Sequence, residues 1–138
     1  PMFVVVDTNI FISALMNANG APREIIRRCL LGNIKPIMGN SLFYEYSDVL
    51  GRDDIFQNHI LSKTERFELY YAFLSVCSWE PIYFLWRPNL KDEADNHLIE
   101  LALAGGADTI ITANKSDFKE TELLFPEINI LDAGEFLN

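Results

Sequence analysis

The sequence predicts a three-layer α/β/α sandwich around a central parallel sheet of four to five strands. Residues 3–6 form a continuous apolar run with three valines, which is typical of a strand covered on both faces in a parallel sheet. Segments with strand character then alternate with segments with helix character along the chain. The 138 residues are 49% hydrophobic and contain no repeat, low-complexity tract or linker, so we expect one domain over residues 2–138.

The first half of the chain has clear signals for the starts and ends of helices. Pro22 can open a helix because proline fits the first helical turn, and Gly32 ends that helix. Asn40 is a favourable N-cap, and Ser62 with Glu65 three residues later forms a capping box. The elements predicted here are a strand at 3–6, a helix at 9–16 ended by a turn at 17–20, a helix at 22–31, a strand at 34–38, and helices at 40–50 and 62–76.

The second half continues the alternation. Asp92 is the expected N-cap of a helix that Gly105 and Gly106 close. The segments around it are rich in aromatic and β-branched residues, which favour strands. The elements predicted here are a strand or loop at 79–86, a helix at 92–104, strands at 108–112 and 129–131, and a short helical tail.

The composition limits the possible partners and location. The net charge of -9 argues against nucleic-acid binding unaided, because affinity for phosphates comes mainly from Lys and Arg. Clustered carboxylates that hold divalent cations would weaken this objection, since a bound metal reverses the local field. The grouped basic residues, Arg23, Arg27 and Arg28 and then Lys115 and Lys119, are more simply solvated helix faces. No run reaches the about 18 apolar residues of a membrane span and no leader is recognisable, so we expect a cytoplasmic protein.

The two cysteines, Cys29 and Cys77, each lie in an apolar helical segment without a nearby Cys or His. Buried thiols are therefore expected rather than a disulfide or a zinc site.

Asp7 is the most informative residue because it directly follows the buried strand at 3–6. Ligands of parallel sheets collect at the carboxyl ends of the strands, so a carboxylate there is placed for chemistry. The structural alternative is that Asp7 only caps the next helix, a position that Asp favours. Asp108 precedes its strand, belongs to the opposite edge of the sheet and is excluded from the site.

Glu45 is predicted to border the buried face of the helix at 40–50. It lies three residues after Leu42 and four before Val49, which is the spacing of one helical face. An unpaired carboxylate there is costly, so we expect it to have a cation or several donors as partners. Asp48 falls on the other side, where it is expected to be solvated.

Asp95 is predicted to face inward on the helix at 92–104, because Leu98 and Ala102 follow it at helical spacing. The alternative is that its charge merely stabilises the helix N-terminus. Glu93 and Glu100 project to the opposite side and are expected to be solvated.

Asn114 and Asp117 follow the strand that ends at Thr112, and so come after a strand tip. Asp117 is the better metal ligand, whereas Asn114 can orient a water or a neighbouring carboxylate. The residues alone leave the choice between them open.

These segments together resemble the PIN-domain family, particularly the small bacterial and archaeal VapC-like type assigned to toxin–antitoxin modules. Asp-Thr-Asn after an apolar strand is only a moderately specific motif by itself. Together with Asp95-Asn96 and with Gly-Gly-Ala-Asp at the entry to the strand at 108–112, it makes the resemblance strong. One departure is that Asn114 stands where many relatives place an Asp, with Asp117 three residues further on. The matching stretches cover nearly the whole chain and are residues 4–9, 42–50, 92–96, 101–107, 110–112 and 130–137.

The resemblance implies a metal-dependent ribonuclease that hydrolyses single-stranded RNA, the toxin of a toxin–antitoxin module. An antitoxin partner and a homodimer are common in the family. The cofactor it implies is Mg²⁺ or Mn²⁺, which hard oxygen ligands select. The implied catalytic residues and metal ligands are Asp7, Glu45, Asp95 and Asp117. The residues implied to orient those ligands are Thr8, Asn9, Asn114 and Thr112.

Two other functions remain open at this point. A catalytically silent PIN fold could serve only to bind RNA or a protein. A phosphatase of the haloacid dehalogenase type also has an Asp at a strand tip, where it acts as a nucleophile. Phosphatases of that class, however, have a second Asp two residues after the first, where this chain has Asn9. They also have no residue with a role equivalent to that of Glu45.

Overall fold

The computed structural model describes residues 2–81 and 93–138, and the side chains of residues 2–81 and 97–138. The described strands form one parallel sheet in the order β3-β2-β1-β4-β5. These strands are β1 Met2–Val6, β2 Ile34–Met38, β3 Ser78–Trp79, β4 Thr109–Ile111 and β5 Asn129–Leu131. The helices are α1 Thr8–Met16, α2 Ala21–Leu30, α3 Asn40–Leu50, α4 Lys63–Val76, α5 Glu93–Gly105, α6 Lys119–Leu124 and α7 Ala133–Leu137, with a 3-10 helix at Lys115–Phe118. The predicted α/β sandwich with a parallel sheet is confirmed.

The strand order changes direction at the central strand β1. The chain moves from β1 to β2 and β3 on one side, and returns past β1 to β4 and β5 on the other. Because parallel crossovers are right-handed, the helices of the first half lie on one face and α5 and α6 on the other. In such sheets the crevice between the carboxyl ends of the two strands at the reversal, here β1 and β4, is the usual ligand site.

The core packs both faces of the sheet. Val4, Val5 and Val6 of β1 are at most 1% exposed, as expected for a strand covered on both sides. Tyr46 of α3 is fully buried, and its hydroxyl donates to the Val6 carbonyl oxygen at 2.7 Å. Phe11 of α1 packs on the Tyr46 ring, with the ring centroids 5.4 Å apart. These contacts fix α1 and α3 beside the carboxyl end of β1.

Most helix boundaries follow the predicted signals. Ser62 and Glu65 form the expected capping box at α4. Asn40, however, is the first residue of α3 and not its N-cap, which is Gly39. A Cβ on Gly39 would lie 3.0 Å from a Leu101 methyl group, so the tight approach of α5 favours glycine at this position.

The prediction that Glu100 is solvated is wrong, because this residue is only 5% exposed. Leu98, Ile99, Leu101 and Ala102 around it are buried as well. The reason is that α5 packs against strands of the sheet and also against α3, so it has no single buried stripe. Trp79, the first residue of the predicted segment at 79–86, lies in β3, whereas residues 82–86, the Asp92 N-cap and the Glu93 side chain lie outside the described residues.

Cys29 and Cys77 are free thiols, the first buried and the second half-buried. Among the helices of the described residues, none is long and apolar enough to span a bilayer.

Candidate functional site

A cleft of about 440 Å³ opens at the carboxyl end of β1. It lies at the strand-order reversal, where ligands of open α/β sheets bind. The described residues that line it come from the end of β1, from α1 and α3, and from the segments after α3 and β4: Asp7, Thr8, Asn9, Ile12, Ser13, Glu45, Val49, Ile55 and Asn114. The cleft therefore contains two of the predicted acids and three of the residues predicted to orient them.

Asp7 is held by three neighbouring groups. Its Oδ1 accepts a hydrogen bond from the Thr8 backbone N–H at 2.8 Å, so Asp7 also caps α1, as the structural alternative proposed. Its Oδ2 accepts from the Thr112 hydroxyl at 2.8 Å and from the Asn9 side-chain amide at 3.2 Å. The side chain is thus both a helix cap and a fixed carboxylate on the cleft wall.

Glu45 has one partner on each carboxylate oxygen. The Thr8 hydroxyl donates to Oε1 at 2.5 Å, and His97 Nε2 lies 3.1 Å from Oε2. Thr8 therefore joins the two acids, since its backbone N–H binds Asp7 and its hydroxyl binds Glu45. The helical spacing had placed Glu45 at the edge of the buried face, and it is half-buried between the core and the cleft.

The loop after β4 is linked to Asp7 through two side chains. The Thr112 hydroxyl that donates to Asp7 also accepts from the Asn114 backbone N–H at 3.1 Å. The Asn9 side-chain oxygen accepts from the Ala113 backbone N–H at 3.1 Å. Thr112 is fully buried, so this network is shielded from water on its inner side.

The remaining predicted acids are placed differently. Asn114 lines the cleft, whereas Asp117 lies in the 3-10 helix beyond it, is exposed, and is not among the described lining residues. Asp95 falls in the first turn of α5, and its side chain lies outside the described residues. Asp108 precedes β4 at the opposite edge of the sheet, where it accepts from the Thr109 hydroxyl at 2.9 Å.

The electrostatics of the two acids differ. Burial raises the pKa of Asp7, and the nearby Glu45 charge adds to this, although the Thr112 hydrogen bond opposes it. The His97 hydrogen bond lowers the pKa of Glu45, assisted by the Thr8 hydroxyl. The Glu45 charge thus disfavours the ionised form of Asp7, an effect that a cation bound between them would relieve.

The donor set suits a hard divalent cation. A carboxylate offers about four lone-pair positions, of which Asp7 uses three and Glu45 two in the described contacts. Both carboxylates can therefore still accept contacts from a ligand in the cleft. Among the described side chains there is no group of three Asp, Glu, His or Cys residues close enough together to bind a metal ion. Asp7 and Glu45 would therefore need a further ligand.

His97 is a functional candidate that the sequence reasoning missed. It is in α5, and its Nδ1 is buried without a hydrogen-bond partner in the described structure. A neutral ring with its proton on Nε2 donates to Glu45 and leaves only a lone pair unpaired on Nδ1. Its position two residues after Asp95 could have suggested a residue near the site, but nothing in the sequence connects it with Glu45.

Comparison with known proteins shows the family. A family model of the PIN domain matches residues 3–116, so the chain belongs to the PIN-domain family. Its sequence matches none of the curated proteins. Among solved structures, the fold is similar to that of a chain in the crystal structure of VapBC2 from Rickettsia felis bound to a DNA fragment from its promoter. The TM-score is 0.61 at 16% identity, over 95% of this chain and 98% of that chain.

Proposed function

We propose that this protein is a metal-dependent ribonuclease that hydrolyses phosphodiester bonds of single-stranded RNA. The observation that carries the proposal is the coupling of Asp7 and Glu45 through Thr8 on the wall of one cleft, with acceptor capacity left on both acids. Membership of the PIN-domain family supports the same chemistry. A cleft with two carboxylates repels RNA phosphate unless a cation lies between them, which is why a metal belongs to the proposal.

Asp7 and Glu45 would hold Mg²⁺ or Mn²⁺ together with Asp95 and Asp117. When bound there, such a cation would supply Lewis-acid chemistry, activating a water and neutralising charge on the phosphate and on the leaving oxygen. Asn114 is closer to the cleft than the exposed Asp117, so we assign Asn114 the orientation of the phosphate or of a water.

The chain's own residues contribute orientation. Thr112 and Asn9 hold Asp7 Oδ2, while Thr8 fixes the spacing between Asp7 and Glu45. His97 acts as a positioning residue, because its contact with Oε2 restricts rotation of the Glu45 carboxylate. Catalysis benefits because carboxylates held in place need little reorganisation when substrate binds.

The biological setting is proposed by analogy. The fold is that of a chain in VapBC2 of Rickettsia felis, so we propose a VapC-like toxin with an antitoxin partner. We further propose that the protein works in the cytoplasm and forms a homodimer.

The test is an RNA cleavage assay with Mn²⁺ or Mg²⁺ and with EDTA, on an unstructured oligoribonucleotide. We expect wild type to cleave only with metal, and Asp7→Asn and Asp95→Asn to lose most activity. Asp108→Asn is the matched control, because the same change is made at the opposite edge of the sheet.

Equal cleavage by all four proteins would overturn the proposal, since the activity would then belong to another site or to a contaminant. RNA binding without cleavage would support a silent PIN fold. Hydrolysis of small phosphomonoesters alone would support a phosphatase.

A further inference from the structure

A second hollow lies beside the cleft and shares a wall with it. This side pocket has a volume of about 230 Å³ and is lined by Met16, Asp54, Ile55, Gln57, Asn58 and His59. Ile55 lines both the cleft and the side pocket. Helix α1 also borders both, since Ile12 and Ser13 face the cleft and Met16 the side pocket. The two hollows therefore lie next to each other along α1.

We propose that the side pocket binds a nucleobase with an exocyclic amino group, on a nucleotide that flanks the phosphate held in the cleft. The inference deepens the proposed function and rests on it, because the cleft must accept RNA. From Thr8 in the cleft to Met16 in the side pocket, α1 rises about 12 Å. Nucleotides near each other on an extended strand can cover that separation.

The chemistry of the lining favours a base over a phosphate. The side pocket has no Lys or Arg in its described lining, and Asp54 would repel a phosphate. Amide side chains and carboxylates instead recognise base edges: Asn and Gln pair with adenine, and Asp accepts from the cytosine amino group. Ile55 offers an apolar surface to the flat ring.

The polar groups of the side pocket are free to bind. The side chains of Gln57 and Asn58 are exposed and make no hydrogen bond to the described part of the chain. His59 Nδ1 accepts from the Leu61 backbone N–H at 3.2 Å, so the neutral ring carries its proton on Nε2. Side-chain oxygens of Asp54, Gln57 and Asn58 can thus accept hydrogen bonds from an amino group. His59 Nε2–H is a hydrogen-bond donor in the same pocket.

Arg66 holds in place the segment that carries these residues. This side chain is 3% exposed, and it donates to the Leu50 and Leu61 carbonyl oxygens at 3.0 and 3.4 Å. It also pairs with Asp53 at 3.0 Å and stacks over the Phe56 ring. The irregular segment between α3 and α4 is therefore held at both ends and in the middle, which lowers the entropy cost of binding.

Cytidine and uridine oligonucleotides give the sharpest test, because cytosine has an amino group where uracil has a carbonyl oxygen. Binding is measured by fluorescence anisotropy, using Asp7→Asn protein so that RNA is not cleaved, at a Mn²⁺ concentration high enough to saturate the weakened metal site. We expect oligo(C) to bind about tenfold more tightly than oligo(U), the size of one good base contact. The added triple change Asp54→Ala, Gln57→Ala and Asn58→Ala should bring the two dissociation constants together, because it removes the proposed acceptors of the cytosine amino group.

Asn33→Ala in the same background is the matched control, since it removes an exposed amide just before β2, at the other edge of the sheet. It should keep the tenfold preference. No preference for oligo(C), or a preference that survives the triple change, overturns the inference. A preference that is present while wild type fails to cleave any RNA supports the side pocket and overturns the ribonuclease proposal instead.

Discussion

Thr8 is the residue on which the site geometry depends most. It contacts both acids, through its backbone to Asp7 and through its hydroxyl to Glu45. Thr8→Val keeps the shape and the backbone contact, but it removes the hydroxyl donor. We expect it to lower activity at limiting Mn²⁺ by about 10- to 100-fold, the usual effect of a lost ligand-orienting contact. Initial rates over a Mn²⁺ titration measure this.

Thr8→Ser is the control, because the serine hydroxyl can occupy the same position. It should stay within a few-fold of wild type. Equal loss in both variants would contradict this prediction, because the serine variant keeps the hydroxyl that donates to Glu45.

His97 gives a second prediction at this scale. His97→Ala frees Glu45 Oε2, so we expect kcat to fall about tenfold with a smaller change in KM. His97→Gln can donate from its amide to the same oxygen and should restore most of the rate. If Ala and Gln variants behave alike while both fold, His97 does not position Glu45.

Single residues could be predicted from sequence where they obey a local rule. Glu45 was placed correctly because Leu42 and Val49 define a helical face around it. His97 was missed because its partner is 52 positions away in the sequence. Glu100 was assigned to the wrong environment, since helical spacing cannot show that α5 is covered on more than one side.

At the scale of elements, the Tyr46 hydroxyl links α3 to β1. It donates to the Val6 carbonyl oxygen next to Asp7, in the buried core. Tyr46→Phe removes this buried hydrogen bond, so we expect the free energy of unfolding to fall by about 1 kcal/mol. Urea denaturation measures the change. Tyr44→Phe is the control, because Tyr44 lies on the same helix, is 69% exposed, and should change little.

Helix α2 carries a pH-dependent ion cluster. Hydrogen bonds from Arg27 and Arg28 lower the pKa of Glu24 to about 2. A carboxyl whose pKa is lowered by folding contributes stability above its unfolded value, near 4.5, and loses it as pH falls toward about 2. The difference in unfolding free energy between wild type and Glu24→Gln should therefore shrink over this range. A constant difference between pH 5 and pH 2.5 would contradict this.

The sequence predicted well the elements that have clear local signals, including the three-residue strand β5, and missed a short helix that has none. Helices α2 and α4 were placed by Pro22 and by the Ser62 capping box, both local signals. Helix α6 was not predicted, because its six residues at Lys119–Leu124 are too few to show a period. The N-cap of α3 was predicted one position too late, at Asn40, because the observed cap at Gly39 makes no side-chain capping hydrogen bond and so has no sequence signal.

At the scale of the whole molecule, the charge distribution explains how an acidic chain could act on RNA. Five basic side chains of the described residues are already bound to carboxylates: Arg27 and Arg28 to Glu24, Arg52 to Asp48, Arg66 to Asp53, and Lys115 to Glu135. The described lining of the cleft contains no Lys or Arg. Attraction of RNA should therefore come mainly from the cation and from base contacts.

This predicts a shallow salt dependence of RNA binding. Each phosphate neutralised by Lys or Arg contributes a slope of about -0.7 in a plot of log affinity against log salt for single strands. Because the described lining of the cleft has no Lys or Arg, we expect no more than about two such contacts from its surroundings, and therefore a slope no steeper than about -1.4 at fixed Mn²⁺. A slope steeper than about -3 would show that an extended basic surface binds the strand.

The central claim is that Asp7 and Glu45 share a divalent cation, and Mn²⁺ binding followed by electron paramagnetic resonance tests it most directly. Wild type should bind Mn²⁺, Asp7→Asn and Glu45→Gln should each bind it at least about tenfold more weakly, and Asp108→Asn should match wild type. Undiminished Mn²⁺ affinity in both Asp7→Asn and Glu45→Gln would contradict the account.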